Sequence, residues 1–234
     1  MNVEPGRGAL LVAGTSLIGA AVGAIAAGWD RWSYCWDRGT YWCIEAQNDP
    51  PAPGVLSDWH EEALASSWAL LGVAFLVVAF AVRRLHLASV GLLAAGAAGA
   101  FAVGLSEITD VVPDGGLELA LYLSLVWYFA IGLVGLAVVP MFDWGETRIA
   151  PLNRVWGWVI VAVLAMTAST PLFEFFVLVG IDGSHDTPTL MGILRGVLFV
   201  VAAVCLFVAA LLRREAPGPQ DTFPVDRSSS ASPG

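Results

Sequence analysis

The sequence contains no lysine, few charged residues of any kind and only three cysteines. All eleven basic residues are arginines, charged residues make up 13% of the 234 positions, and 57% of the residues are hydrophobic. Such a composition excludes an ordinary soluble domain of this size. The sequence also lacks a basic patch with interleaved aromatic residues, so we expect no binding to nucleic acid.

Apolar runs of about twenty residues recur along the chain, which is the length needed to cross a hydrocarbon core of about 30 Å. The strands of a membrane β-barrel would be shorter and would alternate in polarity. We therefore predict an all-α, polytopic integral membrane protein, with a six-transmembrane-helix bundle in residues 1–214 and a disordered cytoplasmic tail in residues 215–234. The predicted helices are residues 9–28, 63–82, 87–105, 117–142, 155–179 and 189–212.

The first apolar run, Ala9 to Gly28, allows two interpretations. The small residues around Ala24 and Ala26 resemble the cleavage site of a signal peptide. However, the run is longer than a usual signal core, and Gly19 and Gly23 form a GxxxG pattern that is typical of packed membrane helices. We favour an uncleaved helix, and we expect the glycine-rich first and third helices to pack closely.

The distribution of charge between the loops predicts the orientation in the membrane. The predicted loops at residues 29–62, 106–118 and 180–186 hold thirteen acids and two arginines, whereas the segments on the opposite side hold six acids and eight arginines. Arginines near helix ends remain in the cytoplasm. The prediction is a multi-pass protein of the cell membrane with both termini cytoplasmic and with residues 29–62, here called the cap, outside the cytoplasm.

Two of the three cysteines, Cys35 and Cys43, lie in the cap. Outside the cytoplasm they are expected to form a disulfide, which would stabilise a small loop by about 2–3 kcal/mol. A structural bond is favoured over a redox-active pair, because the spacing is not CxxC. Cys205, near the end of the sixth helix, is expected to be a buried apolar residue.

The cap also holds five of the ten tryptophans. Its candidate partner-binding residues are Trp32, Trp36, Tyr41 and Trp42. Aromatic side chains of this kind are used in protein interfaces. They are equally typical of anchoring at the level of the lipid headgroups and of packing within the cap, and the sequence leaves both interpretations open.

Two charged residues, Glu174 and Arg195, fall inside predicted spans. Both lie about 9–10 Å below the cap side of the membrane if each residue advances the helix by about 1.5 Å. Because an unpaired charge at this depth is costly, we expect an ion pair between the fifth and sixth helices. This pair could be a structural clamp, or it could be the floor of an outward-facing polar cavity.

The other candidate residues of such a cavity are Glu107, Glu118, His60 and His185. Histidines and carboxylates on one face could bind a divalent metal. Most of these acids, however, lie at helix starts or in turns, and no metal-binding spacing such as HExxH is present. We therefore predict neither a metal nor a cofactor.

Three classes of function remain open. The first is a non-catalytic accessory subunit or sensor, whose cap binds another membrane protein or a subunit of a membrane complex. The second is a small transporter or channel for a cation, although the inner half of the bundle has few polar residues. The third is a membrane-embedded enzyme with an outward-facing site for a lipid-linked or periplasmic substrate. The first class is favoured, because the most distinctive residues are aromatic and lie in the cap.

Overall fold

The fold is given by a computed structural model, which describes residues 6–37, 53–82, 87–108, 154–169, 174, 177–178, 190 and 192–213. Over these residues the chain is helical and has no strand. Its five helices are α1 (Arg7–Asp37), α2 (His60–Val82), α3 (Leu87–Ile108), α4 (Arg154–Ala168) and α5 (Ile193–Leu212).

The five helices pack side by side in the order α3, α2, α1, α5, α4. Helix α1 runs antiparallel to both of its neighbours. Asp30, near its end, contacts His60 at the start of α2, and Gly6, just before its start, lies beside Arg213 at the end of α5. The bundle therefore has a cap end, where α1 ends and α2 and α5 begin, and an opposite arginine end, which carries Arg7 and Arg213.

The helix interfaces are filled mainly by alanine, valine and leucine, and Trp68, Phe75 and Phe199 are among the largest buried side chains. Close packing depends on residues without a side chain. A Cβ atom added to Gly23 would lie 2.7 Å from the carbonyl oxygen of Ala63, so this glycine allows α1 and α2 to approach each other. The predicted close packing of the first and third helices is corrected in one respect, because α2 lies between them and each packs against it.

Large apolar side chains are also exposed along the outside of the bundle, among them Val22, Leu76, Phe80 and Leu211. Three helices, Arg7–Asp37, His60–Ala81 and Ile193–Leu212, are long and apolar enough to cross a membrane. A helical bundle with an apolar interior and an apolar exterior is the architecture expected of a membrane protein.

The predicted count of six spans is supported only in part, since three candidate spans are found in the described residues. The predicted fourth helix, residues 117–142, and the tail, residues 215–234, lie outside those residues. Several predicted boundaries differ from the structure. The helix predicted over residues 155–179 corresponds to α4, which ends at Ala168. Helix α1 continues to Asp37, where burial of Trp32 and Cys35 extends its packed face beyond the apolar run. Helix α5 begins at Ile193 and not at residue 189.

A change in backbone conformation explains the late start of α5. Leu190 has a φ of 71° and Gly192 has a φ of 94°. Both values belong to the left-handed region, which cannot continue a right-handed helix. Sequence patterns alone did not reveal this break, because residues 189–212 form one apolar run with proline just before it.

The cysteines are placed only in part. Cys35 is buried and packs with Trp32 and Val55 in a small cluster at the cap end. Its predicted partner, Cys43, lies outside the described residues, so the disulfide stays a prediction. Cys205 is a free, buried cysteine among the apolar residues of α5, as predicted.

Candidate functional site

The N-terminus of α5 is capped by a carboxylate from another segment of the chain. Glu174 Oε1 accepts the backbone N–H of Gly192 at 2.6 Å and that of Arg195 at 3.1 Å. The first N–H groups of a helix have no partner within the helix, and leaving them unsatisfied in an apolar environment costs several kcal/mol. The carboxylate also lies at the positive end of the helix dipole. Closing a buried helix end thus accounts for the fully buried Glu174.

Arg195 lies against the same carboxylate. Its Nε atom is 3.4 Å from Glu174 Oε2, within the range of an ion pair, although these two atoms form no hydrogen bond. The guanidinium carbon of Arg195 is 4.5 Å from the centre of the Trp68 ring, where the electron-rich face of the indole attracts a cation. The predicted ion pair is confirmed. Together with Trp68 it links α2, α5 and the segment that contains Glu174.

The level of this pair along the bundle follows from its neighbour on α1. A Cβ atom added to Gly192 would lie 3.2 Å from the Cα atom of Gly28, so α5 begins at the level where the apolar run of α1 ends. Arg195 is three residues further along, about 4.5 Å by the rise of an α-helix. The pair therefore lies about one turn of helix below the level of Gly28, and its depth in a membrane stays a prediction.

A second polar cluster joins the end of α1 to the start of α2. The carboxylate of Asp30 accepts hydrogen bonds from the backbone N–H of Ser57, at 2.9 Å, and from the Ser57 hydroxyl. Its Oδ2 atom is also 3.1 Å from Nδ1 of His60. Asp30 and His60 are both buried. Asp30 thus fixes the chain where it re-enters the bundle as α2.

Asp30 and Ser57 were not among the site residues predicted from the sequence. The sequence did hold one signal for this cluster: Asp30 lies only two residues after Gly28, where the apolar run of α1 ends. A carboxylate at such a boundary needs hydrogen-bond donors if the helix continues and buries it. The prediction that the helix ends at Gly28 concealed this requirement.

The Asp30–His60 pair resembles a general-base arrangement, since a carboxylate that holds one ring nitrogen orients the other towards a substrate. The Ser57 hydroxyl, however, donates to Asp30 and does not serve His60 as a nucleophile. Within the described residues, no group of three or more histidine, cysteine or acidic side chains could hold a metal ion. The cluster therefore satisfies its own hydrogen bonds and offers no complete reactive set.

Among the other candidate cavity residues, His60 is the one whose side chain the structure describes. His60 contacts Asp30 and not the Glu174–Arg195 pair. Glu107 belongs to the last turn of α3, and the position of its side chain is not described. Glu118 and His185 lie outside the described residues.

The candidate partner-binding aromatics separate into two groups. Trp32 is 1% exposed and packs beneath Val55, so it belongs to the core of the cap end. Trp36 is 40% exposed, and its ring lies edge-on to that of Trp29, with 4.7 Å between the ring centres. Tyr41 and Trp42 lie outside the described residues. Trp29 and Trp59 are also exposed.

Hydroxyl groups within the helices are largely bonded to their own backbone. Thr15 and Thr167 donate to the carbonyl oxygens of Leu11 and Leu164, and Ser169 donates to that of Met166. Such bonds satisfy a hydroxyl inside an apolar helix without a partner from solvent. Among the described residues they therefore provide no continuous polar path between the two ends.

No protein-family model, curated protein or solved structure matches this chain.

Proposed function

We propose that this chain is a non-catalytic accessory subunit or sensor of the membrane, and that its cap end binds another membrane protein. The observation that carries the proposal is the structural role of Glu174. Its carboxylate is fully buried, caps α5 and pairs with Arg195. A fully buried carboxylate used in this way holds helices together and presents no surface to a ligand in solution.

The exposed tryptophans at the cap end are then the most distinctive groups left for recognition. Trp29 and Trp36 are 54% and 40% exposed, although each has a large apolar surface that favours burial. Tryptophan is enriched among the residues that dominate protein interfaces. A partner that covers this pair would bury apolar area that the isolated chain leaves exposed.

The proposed orientation places the cap end outside the cytoplasm and both termini inside. Two facts support it: Arg7 and Arg213 lie at one end of the bundle, whereas Asp37, Glu61 and Glu62 lie at the other. Arginines near the ends of spans stay in the cytoplasm. The proposal retains six spans. It also retains the disulfide between Cys35 and Cys43, since Cys205, the third cysteine of the sequence, is a free thiol on α5.

The two alternatives have less support. A cation transporter needs a polar path, and the hydroxyls of Thr15, Thr167 and Ser169 are bonded to their own helices. An enzyme needs a reactive set around the Asp30–His60 pair, and the nearby Ser57 hydroxyl is engaged with Asp30. The partner-binding proposal needs only a surface, and exposed aromatic residues provide one.

The native size of the protein extracted from its own membrane in a mild detergent tests the proposal. We expect the unmodified chain to migrate in a complex with a second protein. The Trp29→Ala/Trp36→Ala double variant should migrate as the isolated chain, whereas Phe80→Ala, which removes an exposed ring from the opposite end of the bundle near the end of α2, should retain the complex. Equal sizes for all three proteins would reject the proposal.

A further inference from the structure

The cap end combines exposed tryptophans with exposed carboxylates. Trp59 is 45% exposed and directly precedes His60, the first residue of α2, which contacts Asp30 near the end of α1. We call Trp29, Trp36 and Trp59, together with the exposed acids Asp37, Asp58, Glu61 and Glu62, the aromatic–acidic surface. It occupies the end of α1 and the beginning of α2.

The length of α1 places part of this surface beyond the lipid. The helix has 31 residues and is therefore about 46 Å long, whereas a hydrocarbon core is about 30 Å thick. Its apolar run ends at Gly28, so Trp29 begins the polar side of the helix. The Cα atom of Trp36 is seven residues further, about 10 Å along the axis, which exceeds the 5–8 Å of one headgroup layer. The ring of Trp36 packs against that of Trp29, with 4.7 Å between the ring centres, so the two rings form one exposed pair between the end of the apolar run and the polar end of the helix.

The charge of the surface selects the kind of partner. Residues 29–37 and 53–62 include four exposed carboxylates, and their one arginine, Arg31, lies over the ring of Trp32 at 5.9 Å. Carboxylates repel anionic headgroups and attract cationic groups through their summed field. Tryptophan is also the aromatic residue that binds ammonium and guanidinium groups most strongly. Both features favour lysine and arginine side chains.

We propose that the aromatic–acidic surface docks a segment of the partner protein that carries lysine or arginine, with its cationic groups over Trp29 and Trp36 and near the surrounding carboxylates. This inference rests on the proposed function and adds the chemistry of the partner. Complementary charge of this kind sets the specificity and rate of association. The indole rings supply the apolar area.

Cross-linking at one position tests both levels of the proposal. A photoreactive benzophenone amino acid replaces Trp36 in the full chain, and isolated native membranes are irradiated. A first variant carries Asp37→Asn, Asp58→Asn, Glu61→Gln and Glu62→Gln. A matched control carries Asp143→Asn, Asp221→Asn, Glu146→Gln and Glu215→Gln, which removes the same charge from predicted cytoplasmic segments. Thermal unfolding in detergent verifies that both remain folded.

We expect a protein adduct whose yield falls at least about fivefold in the first variant and on raising salt from about 0.05 to 0.5 M, and stays unchanged in the control variant. If a protein adduct forms but its yield is insensitive to both changes, the proposed function stands and only the cationic chemistry of the partner is overturned. The absence of any protein adduct, or adducts with lipid only, overturns both this inference and the proposed function. If the first variant unfolds, the salt dependence of the unmodified surface decides.

Discussion

Glu174 and Gly192 are joined by a hydrogen bond of 2.6 Å, in which the backbone N–H at the start of α5 donates to Oε1 of the carboxylate. Gly192 is the N-cap residue of that helix, and it has no side chain that could accept a hydrogen bond from the first N–H groups. A carboxylate from outside the helix therefore takes the place of a capping residue. The ion pair with Arg195 is a second use of the same group.

This double use predicts unequal effects of substituting the two charged residues. Glu174→Gln removes the charge that compensates Arg195 and weakens the hydrogen bonds that close the N-terminus of α5. We expect it to lower the free energy of unfolding by about 3–5 kcal/mol. Arg195→Gln leaves the carboxylate bonded to two N–H groups at the positive end of the dipole, and we expect a loss of about 1–3 kcal/mol. Unfolding in a denaturing detergent measures both values.

The double variant and a matched control complete this comparison. The stability lost in the Glu174→Gln/Arg195→Gln double variant should be smaller than the sum of the two single losses by about 1–3 kcal/mol. The reason is that the double variant leaves no buried charge without a partner. Val204→Ala, on the exposed face of α5, should cost less than about 0.5 kcal/mol. Additive losses would show that the pair does not stabilise the helices jointly.

The backbone break before α5 makes a second prediction. Gly192→Ala places a Cβ 3.2 Å from the Cα of Gly28 and forces a side chain to a φ of 94°, so we expect a loss of about 1–3 kcal/mol. Leu190→Gly relieves a positive φ at a residue that is 36% exposed, and we expect a gain of up to about 1 kcal/mol.

Gly91→Ala is the matched control for these glycine substitutions. A Cβ at this helical position meets nothing within 4 Å, and alanine is the better helix former, so stability should rise slightly or stay constant. Thermal unfolding of the purified chain in detergent is the measurement. A Gly192→Ala protein as stable as Gly91→Ala would contradict the described backbone.

Asp30 gives a third prediction, because it holds α1 and the start of α2 together. Asp30→Ala leaves the buried His60 and the backbone N–H of Ser57 without their acceptor, and we expect a loss of about 2–4 kcal/mol. Ser57→Ala keeps the backbone bond and should cost about 1 kcal/mol. Hydrogen exchange of the amides at residues 57–60 should accelerate strongly in the first variant only. Equal exchange in both would exclude Asp30 as the anchor.

Sequence patterns predicted the membrane class and the Glu174–Arg195 contact, because apolar length and the cost of an isolated buried charge both follow from composition and spacing. They did not predict the capping of α5 by Glu174. That role depends on the left-handed residues Leu190 and Gly192, and a positive φ at leucine has no signal in the sequence. The Asp30 cluster was missed for a related reason, since the end of α1 was placed at the end of the apolar run.

The membrane topology gives a fourth prediction. Helices α3 and α4 lie at the two ends of the packed row, and the chain between them contains the predicted fourth span, residues 117–142. In a Cys205→Ser background, a membrane-impermeant maleimide should label Asp114→Cys in intact cells and should label Arg148→Cys only after the membrane is opened. Labelling of both positions in intact cells would exclude a span between them.

The central claim is that the buried charges serve the fold and that the exposed tryptophans serve recognition. It is tested most directly by the amount of partner co-purified per folded chain in two variants. We expect Glu174→Gln/Arg195→Gln, compared at a temperature where it is folded, to retain the partner of the unmodified protein. Trp29→Ala/Trp36→Ala should lose most of that partner while its thermal stability changes little. The opposite pattern, with the partner lost from the first variant and kept by the second, would contradict the account.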